Sequence, residues 1–270
     1  MNDQLAITTA QLVEIIIIIV IFITIACLRK HPRLAGFWTS MFEQWRPGMI
    51  LTLIYLISFG ISLTGFETDL PHILVYIVVG GGYMFCLTML GLGFTARINH
   101  FEPLQLRRGV RAIPDILIGV LVLFALSGLI NIPIGRGLIA VGITGPPETT
   151  SGLEFFQDLS LSQVFFMLLM GAGIAEEVFY RLLVMSGLWC LFKRPSLAIM
   201  ISSILFGVYH LSPLNSLYLT FWDYPVYQFI VTFLFGLAAA WIYQKKGLEV
   251  AILGHTLGNF MGVVIMKLSL

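Results

Sequence analysis

Three apolar stretches of the chain carry polar side chains of types that do chemistry. The first reads MGAGIAEEVFYR over residues 170–181 and places Glu176, Glu177 and Arg181 in an otherwise uncharged run. The second ends FGVYH at His210, and the third, LGHTLGNFMG, holds His255 and Asn259. A charge at the centre of a membrane helix costs roughly 2.5–3.5 kcal/mol on insertion scales, so the groups that persist there face a bundle interior and serve a function. Helical geometry divides the first set. Glu177 and Arg181 are four apart and share a face, with the acid on the favourable N-terminal side, which reads as a structural ion pair. Glu176 lies about 100° round the helix and has Phe179 and Tyr180, not cations, at i+3 and i+4. It is the spare carboxylate. His255 and Asn259 are i and i+4, so both project from one face. Gly254, Gly258 and Gly262 form a parallel stripe beside them, of the kind that lets helices pack closely in lipid.

A free carboxylate, two imidazoles and a carboxamide suit hydrolysis. A carboxylate can take a proton from water while an imidazole positions it. A second imidazole and an amide N–H can donate to a developing oxyanion. Glu176, His210 and His255 could equally ligate zinc and leave one position open. Both forms of water activation remain open. The metal-free form is preferred, because base and oxyanion donors are already supplied and Asn259 is a poor zinc ligand.

These residues need elements that cross lipid, and the composition provides them. The chain has 270 residues, 58% apolar and 11% charged, where soluble domains carry about 45–50% and 25%. A soluble globule of this composition would expose aggregating apolar patches. Disorder is excluded by the low charge. A formal charge of +1 with no basic face argues against nucleic acid as a partner. Cys27, Cys86 and Cys190 are scattered through apolar runs and form neither a disulfide framework nor a metal spacing.

Eight stretches approach the ~20 apolar residues of a transmembrane helix. They run Leu12–Leu28, Met49–Phe66, His72–Ala96, about Pro114–Ile134, about Leu159–Leu191, Ser196–Leu211, Val226–Tyr243 and Leu248–Met266. The first is retained rather than a cleaved signal, because no cation precedes it and Arg29-Lys30 follows it. Twelve of the fifteen cations fall in the loops after spans one, three, five and seven. The positive-inside rule then makes those loops cytoplasmic and both termini extracytoplasmic. The long connection from Gly135 to about Asp158 contains Ser151-x-x-Glu154, a capping-box pattern for a short interfacial helix. The fold expected is an all-α polytopic membrane protein of about eight helices, with its site inside the bilayer.

Depth is a partial check. At about 1.5 Å per residue, Glu176 lies roughly 25 Å from Lys193, His210 roughly 24 Å from Arg194, and His255 only about 13 Å from Lys246. Either span five ends at Gly187 or span eight tilts.

The three polar stretches resemble the motifs of the CPBP family of intramembrane proteases, also called the CAAX-protease and bacteriocin-processing or Abi family. Those motifs are E-E-x-x-x-R, F-x-x-x-H and H-x-x-x-N/D on successive membrane helices. They stand here as Glu176-Glu177-x-x-x-Arg181, Phe206-x-x-x-His210 and His255-x-x-x-Asn259. The resemblance covers roughly residues 113–264. It implies a protease domain of about five spans over residues 113–270, behind an N-terminal region of about three spans over residues 1–112. One branch of the family removes the last three residues of prenylated C-a-a-X proteins. By this resemblance Glu176 and His210 activate water, and His255 and Asn259 hold the oxyanion. The partners implied are the lipid bilayer and a membrane protein or lipidated peptide as substrate. Leu211-Ser212-Pro213 after His210 looks bacterial, which implies a bacterial cell membrane. Two other function classes fit the same residues: an ion- or proton-coupled transporter, and a non-catalytic scaffold of the immunity type. Transporters are often built from internal repeats, and the sequence has none.

Overall fold

In lipid every backbone polar group must be satisfied within its own segment, which leaves helices as the solution for runs of this length. A computed structural model describes residues 9–65, 70–146, 156–215 and 218–269, and among them there are helices and no strand. Ten helices follow in order. They are α1 (Thr9–Cys27), α2 (Pro32–Phe42), α3 (Trp45–Ser62), α4 (70–95), α5 (Gln105–Ala140), α6 (Leu161–Phe192), α7 (Pro195–Tyr209), α8 (Tyr218–Phe221), α9 (Pro225–Lys246) and α10 (Leu248–Ser269). Six of them (α3, α4, α5, α6, α9 and α10) are long and apolar enough to cross a membrane. Ile15–Cys27 and Pro195–Tyr209 are shorter apolar helices and stand where the first and sixth expected spans lie. The Ser151–Glu154 capping pattern lies outside the described residues.

Local chemistry sets the ends. Ser160 caps α6 through a true capping box: its hydroxyl accepts from Gln163 N–H, and the Gln163 side chain accepts from Ser160 N–H. Pro195 and Pro225 open α7 and α9, where a missing N–H is harmless. Gly247 separates α9 from α10 at φ 85, and a Cβ there would also lie 2.9 Å from Gln105 Cγ, so both backbone and space call for glycine. α5 outruns its expected end at Ile134, because Pro133 sits in a π turn (Ile130–Ile134) that absorbs its lost hydrogen bond. Hydroxyls inside the spans bond back to their own helix, as Thr52, Thr88, Ser203 and Thr256 do to the carbonyl four residues before.

α6 is the central element. It packs on α3, α4, α7 and α10, while α7 lies along α9 and α10 lies along α5. One core cluster joins the two halves of the chain: Met84, Leu87 and Leu90 of α4 pack with Val178, Leu182 and Met185 of α6. A second cluster, with Val120 and Leu123 of α5, Phe206 of α7 and Phe235 of α9, closes the other side of α6. Large apolar side chains such as Ile50, Leu53 and Ile57 of α3, and Leu117 and Leu121 of α5, face outward, as a lipid-facing surface requires.

The depth mismatch has a direct answer. α6 continues to Phe192 and does not stop at Gly187. The Tyr243 hydroxyl near the end of α9 lies 2.9 Å from the Ser186 hydroxyl of α6. From Ser186 to Lys193 is seven residues, or about 10 Å of helix, close to the missing distance. α6 therefore overhangs the α9–α10 turn, and His255 reaches the level of Glu177.

Candidate active site

The acid pair sits where α6 departs from ordinary helix. π turns occupy Leu169–Ala175 and Val178–Met185, on either side of Glu176 and Glu177. Such turns widen a helix and recur at functional sites. Gly173, three residues before Glu176, faces Thr256 of α10, and a Cβ there would overlap the Thr256 hydroxyl. This close approach delivers the neighbouring His255 to α6.

Glu177, Arg181 and His255 form one bonded unit. Arg181 Nε donates to Glu177 Oε2 at 2.9 Å, and Arg181 Nη2 lies 3.5 Å from Oε1. The same Oε1 accepts from His255 Nδ1 at 2.9 Å. Glu177 and Arg181 are fully buried and His255 nearly so. The expected ion pair is present, and its acid has a second partner from another helix that i,i+4 spacing cannot reveal.

His210 ends α7 with its Nδ1 2.9 Å from the Phe206 carbonyl. A carbonyl and a carboxylate only accept, so both imidazoles carry a proton on Nδ1 and turn Nε2 away from the group that holds them. Phe206 links the parts. The Arg181 guanidinium lies 4.7 Å over its ring, the His210 ring is 4.7 Å away, and the His255 ring is 6.0 Å away. Phe235 of α9 packs on His255 at 4.4 Å. Phe206 appears in the sequence only as a motif letter, and Phe235 carries no signal there at all.

Glu176 remains the spare acid. Its Oε2 is buried without a hydrogen-bond partner among the described residues, and it lies near His255, Glu177 and Arg181. His210 likewise lies near His255 and Arg181. Asn259, one turn beyond His255 on α10, is exposed and bonds to none of these groups. Glu177, Arg181 and His255 are thus joined directly, His210 through Phe206 and Glu176 by proximity, while Asn259 lies exposed one turn along α10 from His255. Among the described residues no three His, Cys, Asp or Glu side chains stand together as a metal would need. As placed, Glu176, His210 and His255 do not form a ready zinc cage. The arrangement offers an unpaired carboxylate, two imidazole Nε2 atoms and a carboxamide in a mostly buried setting.

Residues 158–261 match the family model described as Type II CAAX prenyl endopeptidase Rce1-like. The matched segment runs from just before α6 into α10 and contains all six residues above, and it is the family the three motifs resemble. No curated protein and no solved structure matches the chain.

Proposed function

We propose that the Rce1-like segment makes this chain an intramembrane endopeptidase that hydrolyses a peptide bond of a membrane-associated or lipidated substrate. The observation that carries this reading is the buried, unpartnered Oε2 of Glu176 next to the Glu177–His255 pair, with His210 on the neighbouring helix anchored through its own Nδ1. Glu176 takes a proton from water as its oxygen attacks the scissile carbonyl carbon, and His210 Nε2 orients that water by accepting its other hydrogen. Negative charge collects on the former carbonyl oxygen. His255 and the Asn259 amide donate to it, in a setting where few waters compete. His255 already gives its Nδ1 hydrogen to Glu177, so it can donate from Nε2 only as the imidazolium, whose charge Glu177 lies against. Collapse of the intermediate breaks the C–N bond, and the proton held by Glu176 passes to the leaving amine.

The test is cleavage of a prenylated C-a-a-X peptide, and of the same peptide without its lipid, by purified wild type and Glu176→Gln. Hydrolysis by wild type alone, faster on the lipidated peptide, is the expected result. Equal hydrolysis by both proteins overturns the mechanism. Ion flux from reconstituted vesicles without any hydrolysis would replace it with a transporter.

A further inference from the structure

We propose that Glu177 is the positioning residue of His255, with Arg181 as the clamp that holds its carboxylate in place. This rests on the peptidase reading and adds a role that an ion pair alone does not have. The carboxylate spends one oxygen on Arg181 Nε at 2.9 Å, and its other oxygen meets His255 Nδ1 at 2.9 Å. Arg181 is itself fixed by the Phe206 ring below it, and all three charged or polar groups are out of solvent. An arginine bound through two nitrogens to one carboxylate leaves that group little freedom to rotate.

The consequence concerns where hydrogens sit on the imidazole. An acceptor opposite Nδ1 keeps a hydrogen there, whether or not Nε2 carries a second, and it fixes which way Nε2 points. A ring without that acceptor can place its single hydrogen on either nitrogen and can turn about its own axis. Phe235 and Phe206 wall the ring but offer no hydrogen-bond acceptor in their side chains, so packing alone cannot make this choice. His210 has the same arrangement with a backbone carbonyl in the carboxylate's place. Only His255 has an anion behind it, and it is the imidazole assigned to face the oxyanion. The acid following the catalytic one is therefore part of the working site through His255, although it touches no substrate.

The experiment uses the full chain in nanodiscs and two changes at this position. Glu177→Gln keeps shape and one acceptor oxygen but no charge. The paired replacement Glu177→Leu with Arg181→Met removes both charges, so neither is stranded in the core. The first readout needs no activity. Nitrogen-15 histidine NMR, assigned by loss of the signal in His255→Gln, should show Nδ1 of His255 fully protonated in wild type and only partly so in the paired replacement. The second readout is kinetic. Each change should lower kcat on the lipidated peptide by about 10²-fold with KM little altered. In a His255→Ala background the same changes should lower it no further, because groups that act through one another are not additive. An Nδ1 as fully protonated in the paired replacement as in wild type, or equal losses in both backgrounds, would overturn the positioning role. If wild type cleaves nothing, the peptidase reading fails by itself, and the protonation of Nδ1 still decides whether Glu177 sets His255.

Discussion

At the scale of single residues, two adjacent glutamates differ in everything but sequence position. Glu177 has two partners and no exposure, whereas Glu176 has an unpaired buried oxygen. Loss of the first strands the Arg181 charge, and breaking a buried pair from one side typically costs 3–5 kcal/mol. Loss of the second strands nothing. Glu177→Gln and Arg181→Gln should therefore reduce membrane-extracted protein well below the level of Glu176→Gln, and equal amounts of all three would remove the structural part of the pair. For catalysis the order reverses. Glu176→Gln keeps the side-chain shape without a base, so the rate should fall by about 10²–10⁴-fold in protein that remains folded. On the proposed mechanism Asn259→Ala removes one oxyanion donor, and a fall of about 10²–10³-fold is expected. Progress curves on the lipidated peptide, normalised to folded protein, measure both. The same assay run with a strong chelator bears on metal use. Survival of full activity fits the scattered placement of Glu176, His210 and His255, and loss that zinc restores would mean that these ligands close up on a metal.

At the scale of elements, the site exists because α6 and α10 approach each other without a side chain between them. Gly173→Ala would push a methyl into the Thr256 hydroxyl, which is held by its own bond to the Ile252 carbonyl. Overpacking of this kind costs about 1–3 kcal/mol, and here it also draws His255 away from Glu177. Gly171, two residues earlier, has open space where its Cβ would stand. Thermal unfolding in detergent and peptide cleavage should both suffer in Gly173→Ala and stay near wild type in Gly171→Ala; parallel losses in the two would deny the close approach. The glycine stripe of α10 divides in the same way. Gly254 and Gly258 meet Leu123 and Ser127 of α5 within 3 Å of a built Cβ, while Gly262 meets nothing. Spacing alone could not separate those three. The all-α membrane character, six of the eight expected spans and the ion pair were legible because apolar runs and i,i+4 pairs are local signals. The π turns around Glu176, the α2 helix between the first two spans, the overhang of α6 and the Glu177–His255 bond were not. Each depends on which helix face meets which neighbour, and no window of one chain segment contains that information.

At the scale of the whole molecule, the cation-bearing connections meet at one end of the bundle. Arg97 at the end of α4 lies over the Phe37 ring of α2 at 5.3 Å, and Arg107 bonds the Gln44 side chain before α3. Phe101, in the same turn, packs on Trp189 of α6 and Tyr243 of α9. Leu248 N–H at the start of α10 donates to the Pro103 carbonyl. The opposite end is tied by Gln163 to the Thr64 carbonyl and by Lys267 to the carbonyls of Gln157 and Leu159. Arg29 to Arg46, Arg97 to Arg111, Lys193-Arg194 and Lys245-Lys246 supply twelve of fifteen cations, and only Arg136 and Lys267 fall in loops or ends on the other side. Short cation-rich loops stay on the cytoplasmic side during insertion. That end should therefore face the cytoplasm, with both termini outside. Single cysteines placed at Gly65, Gly145 and Asp223 in a background lacking Cys27, Cys86 and Cys190 should react with an impermeant maleimide in intact cells, and cysteines placed at Arg33, His100 and Lys193 should react only after lysis. Labelling in the reverse order would invert the molecule, and it would move Lys267 and the Asn259 end of the site to the cytoplasmic side.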